Sequence, residues 1–285
     1  MQEASTEMMH RVVGSLAKYL ALGFFVALVL YPLLLIVSTA VKDPLDVTAD
    51  PFALFSSVSL TNFVDAWTLG GFGGYFWNTV FITALTLLGT VALSVLAGYA
   101  LARLYFPGRS LLFLLFITGL MFPFFSVMIP LFYELRDIGL LGTKIGLVLV
   151  LVAGAGGFGV PIGVFLMRSF YMDLPEELAD AARVEGCTEF QVFRYVMLPL
   201  SGPGVAVLSV LVFFQTWNAF IQPLLYLPGA ENQVLATGLY LFSSGRTQEY
   251  ELIAAGSLIM VVPVLVFFLL FQRLFVRGLT TGALK

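Results

Sequence analysis

Six long apolar windows constrain this chain more than any other feature of its sequence. None of them contains a charged side chain, and they lie at about 19–41, 75–101, 111–133, 145–167, 203–228 and 252–272. A helix needs about 20 apolar residues to cross the hydrocarbon core of a bilayer, and each window is long enough. The sequence therefore predicts an all-α integral membrane protein with six transmembrane helices in a single transmembrane domain, residues 1–285.

The composition excludes an ordinary soluble domain. Hydrophobic residues make up 60% of the chain and charged residues 11%, whereas soluble proteins average about 25% charged residues. Cys187 is the only cysteine and His10 the only histidine, so cysteine spacing offers neither a disulfide framework nor a metal site. We expect this chain to bind no metal or cofactor of its own, and we find no constellation of catalytic residues.

The distribution of lysine and arginine orients the predicted helices. If the N-terminus lies inside, ten of the fourteen basic residues are cytoplasmic, which satisfies the positive-inside rule. The four that fall outside are Lys42, Arg136, Lys144 and Arg246. We therefore expect both termini to be cytoplasmic, together with the segment that joins the fourth and fifth windows.

This joining segment, Asp173–Pro199, is the longest stretch that can be both helical and water-soluble. Asp173, with Glu176 three residues later, predicts the start of a first helix. Gly186 predicts the end of that helix, and Thr188 opens a second one through a capping box with the glutamine three residues later. We therefore expect two short helices joined at a glycine corner.

A helix, a glycine turn and a second helix also occur in DNA-binding proteins, but the charge of this segment argues against that function. Six acidic residues accompany only Arg183 and Arg194, and a phosphate backbone would repel them. A solvated amphipathic loop without a partner remains an alternative. We favour a protein-docking element, because the segment lies between two windows that can each cross a membrane.

Three windows contain features that bear on how the helices pack. In the third window, Pro123 and Pro130 predict a kinked or broken helix. In the fourth, Gly154–Gly159 matches GxGxxG, which at membrane depth we interpret as flexible or closely packed helix rather than a dinucleotide site. Hydroxyl side chains of the second window share one helical face, which indicates either close helix packing or the lining of a polar path. They are Thr79, Thr83, Thr86, Thr90 and Ser94.

The fifth window carries a group of polar and aromatic residues, Gln215, Trp217, Asn218 and Gln222. The three amide residues recur at i, i+3 and i+7 and would share one face of a continuous helix, where contact with lipid is costly. They must therefore face protein or a cavity. Amides and aromatic rings suit sugar hydroxyls and sugar ring faces, but they also suit hydrogen bonds between helices, so both roles stay open.

The segment Asp173–Pro199 resembles a known motif. Asp180-Ala181-Ala182, three residues, Gly186, nine residues, Val196, one residue and Leu198-Pro199 are similar to the EAA coupling loop of permease subunits of ATP-binding-cassette importers. The spacing is intact. Asp180 and Val196 depart from the usual glutamate and isoleucine, and they keep the charge and the shape.

The resemblance implies a role for each of these residues. Glu177 and Asp180 would supply polar contacts at the cleft of a cytoplasmic ATPase, and Ala181 with Ala182 would pack closely against it. Gly186 would provide the turn. The remaining pair, Leu198 and Pro199, would tie the segment to the fifth span.

Other stretches extend the resemblance to nearly the whole chain. They are similar to the six-helix, type I permease of maltose-type carbohydrate importers, although Ala219 departs from the acidic residue that usually follows Trp-Asn there. These stretches are Asn78-Thr79-Val80, Ala100-Leu101-Ala102-Arg103 with Phe106-Pro107-Gly108-Arg109, Trp217-Asn218 with Pro223-Leu224, and the final GLTTGALK.

The resemblance implies an importer of a sugar or oligosaccharide in the cytoplasmic membrane of a bacterium or archaeon. Its partners would be a second permease subunit, two copies of a cytoplasmic ATPase that bind ATP and Mg²⁺, and an extracytoplasmic solute-binding protein. Nucleic acid is not among the expected partners. This chain would be a non-catalytic membrane subunit, because it contains no GxxxxGK-S/T phosphate-binding loop.

Two rival functions remain at this point. A permease of another importer class, for amino acids or phosphate, is argued against by the C-terminal GLTTGALK. A secondary transporter normally needs an ionisable residue within the membrane for coupling, and none of the six windows has one.

Overall fold

The structure is a computed structural model that describes residues 2–68, 70–155, 157–243 and 249–283. Every regular element in these ranges is helical. The chain divides into two compact units. The smaller is formed by residues 1–70 and 241–259, and the larger by residues 71–240 and 260–285.

The smaller unit contains α1 (Gln2–Val41), α2 (Pro44–Ala49) and α3 (Thr61–Thr68). From Gly14 to Val41, α1 is apolar and largely exposed, as is typical of a helix that faces lipid or partner helices. Asn62 ties α3 to the end of α1, because its Nδ2 donates hydrogen bonds to the carbonyls of Ala40 and Lys42 at 3.0 and 2.7 Å.

The larger unit begins with α4 (Phe72–Arg103), α5 (Arg109–Met121), α6 (Phe124–Asp137), α7 (Lys144–Val152) and α8 (Val160–Asp173). It continues with α9 (Glu177–Val184), α10 (Glu189–Val192), a π-helical turn (Phe193–Met197), α11 (Leu198–Leu200), α12 (Gly202–Trp217), α13 (Ile221–Tyr226) and a 3-10 turn (Ala230–Asn232). Two further helices, α14 (Leu235–Ser243) and α15 (Tyr250–Ala283), contribute residues to both units.

The central helix of the larger unit is α4, which packs against α7, α8 and α12. Its contact with α8 requires small residues: a Cβ on Gly98 would lie 2.7 Å from Met167 Cβ, and one on Gly163 would lie 2.1 Å from Ser94 Oγ. The predicted hydroxyl face of α4 is fully buried, which supports close packing rather than a polar path. Its members are Thr79, Thr83, Thr86, Thr90 and Ser94.

The six predicted spans correspond to helices of unequal continuity. Three helical stretches, Gly14–Val41, Phe72–Arg103 and Tyr250–Gln272, are each long and apolar enough to cross a membrane. If each of two bent helix pairs is counted as one span, the described residues contain up to five spans. The pairs are α5 with α6, bent by 101°, and Glu189–Leu200 with α12, bent by 71°. The fourth window, 145–167, is divided between α7 and α8, so the count of six spans stays a prediction.

Prolines account for two of the interruptions. Pro123 follows the end of α5 and, lacking an N–H, cannot continue its hydrogen-bond ladder. Pro223 likewise cannot donate to the carbonyl of Ala219, and α12 ends at Trp217. The expectation that the fifth window forms one continuous helix with three amides on one face is therefore wrong. Pro130, in contrast, lies within the helix α6.

Candidate functional site

The segment Asp173–Pro199 forms two helical stretches around Gly186, as predicted, but its first helix starts later than predicted. Asp173 is the last residue of α8, and α9 begins only at Glu177. The predicted start at Asp173 is wrong because the preceding span helix continues beyond its apolar window. Leu174 then adopts an extended conformation, with ψ of 143°, as is usual for a residue before proline.

The corner at Gly186 is a Schellman motif that closes α9. The N–H of Gly186 donates to the carbonyl of Arg183, and the N–H of Cys187 donates to that of Ala182, both at 3.0 Å. Gly186 has a φ of +87°, the left-handed conformation that glycine adopts without strain. A Cβ at this position would meet no atom within 4 Å, so the requirement for glycine comes from the backbone alone.

The predicted capping box opens the second helical stretch. The N–H of Thr188 donates to Gln191 Oε1 at 2.7 Å, and the N–H of Gln191 donates to Thr188 Oγ1 at 3.4 Å. The stretch then passes through the π-helical turn Phe193–Met197, a rare geometry that is frequent at functional sites. It ends at Leu200, where the chain bends into α12.

One face of the segment is anchored in the core of the larger unit. Ala179, Val192, Phe193 and Met197 are buried in a cluster that also contains residues of α4, α8 and α12. Leu198 packs against the same cluster. The segment is therefore fixed to three long helices rather than suspended as a free loop.

The opposite face of the segment is exposed. Glu177, Asp180, Ala181 and Pro199 are all exposed, while Ala182 is half-buried. Large apolar side chains are exposed beside these residues, although the segment is otherwise strongly charged; they are Leu178, Val184, Phe190 and Tyr195, at 43, 86, 69 and 72%. Exposed apolar side chains on a polar segment are typical of a protein-binding surface.

A polar network links the two helices of the segment to α4. The guanidinium of Arg183 forms ion pairs with Asp180 and Glu189, each at 2.7 Å. Tyr99 on α4 donates a hydrogen bond to Glu189 Oε2 at 3.3 Å. The hydrogen bond from Arg183 lowers the pKa of Glu189, and the hydrogen bonds to Glu189 and Asp180 raise the pKa of Arg183.

A second link holds the end of α8, just before the segment. Arg103, the last residue of α4, donates from Nε and Nη2 to the carbonyl of Tyr171, at 3.1 and 2.6 Å, and from Nη2 to that of Leu174. A guanidinium at the C-terminus of a helix satisfies carbonyls that have no helical partner. These bonds fix the point at which the chain leaves α8.

The four residues predicted on the fifth window lie in different surroundings. Gln215 accepts a hydrogen bond from the N–H of Phe158, and Gln222 Nε2 lies 3.5 Å from the carbonyl of Ala155. Trp217 is buried and donates to the carbonyl of Met260 at 3.0 Å. Asn218 is exposed and donates to the carbonyl of Phe214 at 2.7 Å, which closes α12. The two glutamines thus brace the backbone between α7 and α8.

Sequence reasoning missed the side-chain links of Tyr99, Arg103 and Glu189. The bonds from Tyr99 to Glu189 and from Arg103 to Tyr171 join residues 90 and 68 positions apart, so no local sequence pattern predicts them. The only available signal was Arg103 itself, a charged residue two positions after the end of a long apolar window.

Relatives of this chain are permease proteins of uptake systems. It is 32% identical over 260 residues to the diacetylchitobiose uptake system permease protein NgcG of Streptomyces coelicolor, covering 90% of this chain and 85% of that protein. It is 34% identical over 272 residues to the arabinooligosaccharides transport system permease protein AraQ of Halalkalibacterium halodurans, covering 93 and 95%. It is also 34% identical over 259 residues to the trehalose transport system permease protein SugB of Mycobacterium tuberculosis, covering 90 and 92%.

The fold is also found in a solved structure. A chain from the crystal structure of a bacterial transporter that imports the acidic polysaccharide alginate superimposes with a TM-score of 0.78 at 22% identity, over 92% of this chain and 96% of that one. The model of the family described as binding-protein-dependent transport system inner membrane component matches residues 91–281, which include the whole segment Asp173–Pro199. The chain therefore belongs to the family of inner membrane components of binding-protein-dependent transport systems.

Proposed function

We propose that this chain is the permease subunit of an ATP-driven importer that moves a sugar or oligosaccharide into the cytoplasm. The observation that carries the proposal is the set of relatives named above. Three permeases at 32–34% identity match about nine tenths of this chain, and each is named for the uptake of a saccharide. The three saccharides differ, so the class of solute is the level at which the comparison applies.

The segment Asp173–Pro199 is the docking site for the ATPase in this proposal. Its exposed face offers Glu177 and Asp180 for polar contacts and Ala181 for close approach, with Ala182 half-buried beneath them. Gly186 sets the angle between the two helices. The tie through Leu198 and Pro199 carries movement into α12, because these residues lie in the short helix α11 that leads into it.

The mechanism follows from how the segment is anchored. ATP-driven closure of an ATPase dimer would displace the exposed face, and the buried face would transmit that displacement to α4, α8 and α12. Arg103 and the Tyr99–Glu189–Arg183 network keep the segment and these helices together during the movement. The spans would then alternate between inward-facing and outward-facing states. Binding of a partner shifts the population towards the state that this partner binds better.

The proposed assembly contains a second permease, two copies of the ATPase and an extracytoplasmic solute-binding protein. ATP and Mg²⁺ belong to the ATPase subunits, and this chain takes part without catalytic chemistry of its own. Both termini and the segment Asp173–Pro199 lie in the cytoplasm, as the bias of lysine and arginine predicts. A solute-binding protein as partner is supported by the alginate transporter, which was solved in complex with an alginate pentasaccharide-bound periplasmic protein.

Reconstitution tests this function. This chain is placed in proteoliposomes with a second permease, an ATPase and a solute-binding protein from the same organism, and uptake of trehalose, arabinooligosaccharides and diacetylchitobiose is measured. We expect uptake of a saccharide that requires ATP and the binding protein. Uptake of an amino acid or of phosphate instead would contradict the solute class, and uptake without ATP would contradict the mechanism.

A further inference from the structure

The start of α5 and the end of α8 carry two arginines that the proposed transport mechanism does not use. Arg109 begins α5, two positions before the third apolar window, and Arg168 lies on α8, directly after the fourth. The two helices pack against each other. Both arginines therefore lie where the predicted spans meet water, at the end that the bias of lysine and arginine places in the cytoplasm.

Arg168 is held by two contacts that leave most of its hydrogen-bond donors unused. Its Cζ lies 4.0 Å from the centre of the Phe113 ring, and its Nε donates to the carbonyl of Leu101 at 3.2 Å. These contacts fix the plane of the guanidinium. A guanidinium has five N–H donors, and among the described residues no acceptor binds either Nη atom of Arg168.

Arg109 is held in a similar way by the turn that precedes α5. Its Nη1 donates to the carbonyl of Leu104 at 3.1 Å, and its Cζ lies 5.2 Å from the centre of the Tyr105 ring. Its Nε and Nη2 have no acceptor within the described part of the chain. An open pocket of about 320 Å³ lies beside it, lined by the turn and the first residues of α5. Arg109 thus also presents unused donors from a fixed position.

The two arginines form a local positive charge that no carboxylate of the described residues neutralises. Their guanidiniums are close enough to repel each other. The ion pairs found in the same ranges involve Arg136 and Arg183 instead. Both guanidiniums are half-buried and so lose part of their hydration, which favours an anionic ligand that binds their free N–H groups.

The surface beside the two arginines is apolar and suits acyl chains. Leu111, Leu112 and Leu115, on the first turns of α5, are 62, 45 and 58% exposed, and Tyr105 is 88% exposed. An aromatic ring at the boundary of a span is typical of the headgroup level of a bilayer. A soluble anion would leave this apolar surface unused. A phospholipid would place its phosphate at the guanidiniums and its chains along the leucines.

We infer that Arg109 and Arg168 form a binding site for the phosphate group of an anionic phospholipid in the cytoplasmic leaflet. Guanidinium groups bind phosphate oxygens through paired, charge-assisted hydrogen bonds, which the unused donors supply. The uncompensated positive charge selects phosphatidylglycerol over zwitterionic phosphatidylcholine, whose choline group would add a third cation. This site goes beyond the proposed function, because it requires neither a saccharide nor ATP.

Lipid titration tests the site. The full chain, with the subunits that co-purify with it, is stripped of lipid in neutral detergent, and lipid binding is followed by native mass spectrometry. We expect phosphatidylglycerol to bind more tightly than phosphatidylcholine. Arg109→Gln and Arg168→Gln should each weaken the binding of phosphatidylglycerol about fivefold, as expected when one arginine near an anionic headgroup is lost. Equal binding of the two lipids by the parent protein would overturn the inference.

Arg136→Gln is the matched control. Arg136 also lies over an aromatic ring, with Cζ 4.8 Å from the centre of Tyr133, but it is paired with Asp137 at 2.8 Å. This variant should bind phosphatidylglycerol as the parent does. An equal loss of binding in Arg136→Gln would show a general dependence on charge and would contradict a site at Arg109 and Arg168.

The fold of each variant is checked by thermal unfolding, because Arg168→Gln also removes the bond to the carbonyl of Leu101. Arg109→Gln keeps the test decisive if Arg168→Gln does not fold, since the bond of Arg109 lies within a single turn. Weaker lipid binding by a normally folded Arg109→Gln supports the site, and unchanged binding overturns it.

Two further measurements separate a lipid from other anionic partners. Phosphatidylglycerol with a photoactivatable headgroup should cross-link to peptides that contain Arg109 or Arg168. Displacement of the lipid by inorganic phosphate at equal concentration would indicate a site for a soluble anion. Loss of a co-purifying subunit from Arg109→Gln, with lipid binding unchanged, would show that a protein covers the two arginines. Either of these last two results would overturn the inference.

Discussion

At Gly186 the molecule depends on a backbone conformation that other residue types adopt only at a cost. Its φ is +87° and the space around it is open, so a branched side chain there causes backbone strain of about 1–3 kcal/mol without a steric clash. We expect Gly186→Val to change the angle between α9 and the second helix of the segment. Co-purification of the ATPase, or saccharide uptake per ATP hydrolysed, should fall sharply, while membrane insertion stays normal.

Gly108 provides the control for this prediction. It has a φ of +85°, and a Cβ on it would likewise meet no atom within 4 Å, but it lies in the turn before α5. Gly108→Val introduces the same kind of strain outside the segment and should retain the ATPase. Equal loss of ATPase in both variants would show that strain, rather than the position of the segment, is responsible.

Single residues were predictable where their chemistry is local. Gly186 and the capping box at Thr188 follow from patterns that span no more than four positions, and the structure confirms both. Asp173 was misplaced because it lies at the end of a helix that starts 13 positions earlier, and its local pattern does not show this. The partners of Arg103 are fixed only by the packing of α4 against α8.

At the scale of elements, Glu189 is the residue through which α9, the second helical stretch and α4 are joined. It pairs with Arg183 and accepts from Tyr99, and about half of its side chain is exposed. An exposed pair of this kind contributes only about 0.2–1 kcal/mol to stability. Glu189→Gln should therefore preserve folding and ATPase binding but lower the amount of saccharide imported per ATP hydrolysed.

The pH dependence of this link has a defined sign. The pKa of Glu189 is lowered in the folded protein, so the link is fully present above the ordinary carboxyl pKa, about 4.3, and is lost as the pH falls through the lower folded value. Coupling should thus be insensitive to this group near neutral pH.

Glu185→Gln is the control for Glu189→Gln. It removes the same charge from an exposed position of the segment and should leave the amount of saccharide imported per ATP hydrolysed unchanged. A lower ratio in both variants would point to net charge rather than to the link.

Hydropathy predicted the positions of the long helices well but did not predict where helices are interrupted. The first, second and sixth windows each form one continuous helix, although the first contains Pro32 and the sixth contains Pro263. The other three are broken at Pro123, at residues 153–159 and before Pro223. Pro130 and Pro263 lie inside helices, so proline in an apolar window does not by itself decide between a break and a continuous helix.

At the scale of the whole molecule, the proposed function requires that the segment Asp173–Pro199 face the cytoplasm. The orientation rests on the placement of ten of fourteen basic residues on one side. Cys187 lies at the glycine corner and is the only thiol, so it reports on the orientation directly. A membrane-impermeant maleimide should leave Cys187 unlabelled in intact cells and should label it in inside-out vesicles, as measured by a mass shift.

Because Cys187 is half-buried, absence of labelling must be distinguished from lack of access. In a Cys187→Ser background, Ser56→Cys places a thiol at an exposed position between α2 and α3, on the predicted outer side. This variant should show the opposite pattern, with labelling in intact cells. Labelling of Cys187 from outside would place the segment away from any cytoplasmic ATPase. The coupling role would then be wrong even though the fold and the family assignment would stand.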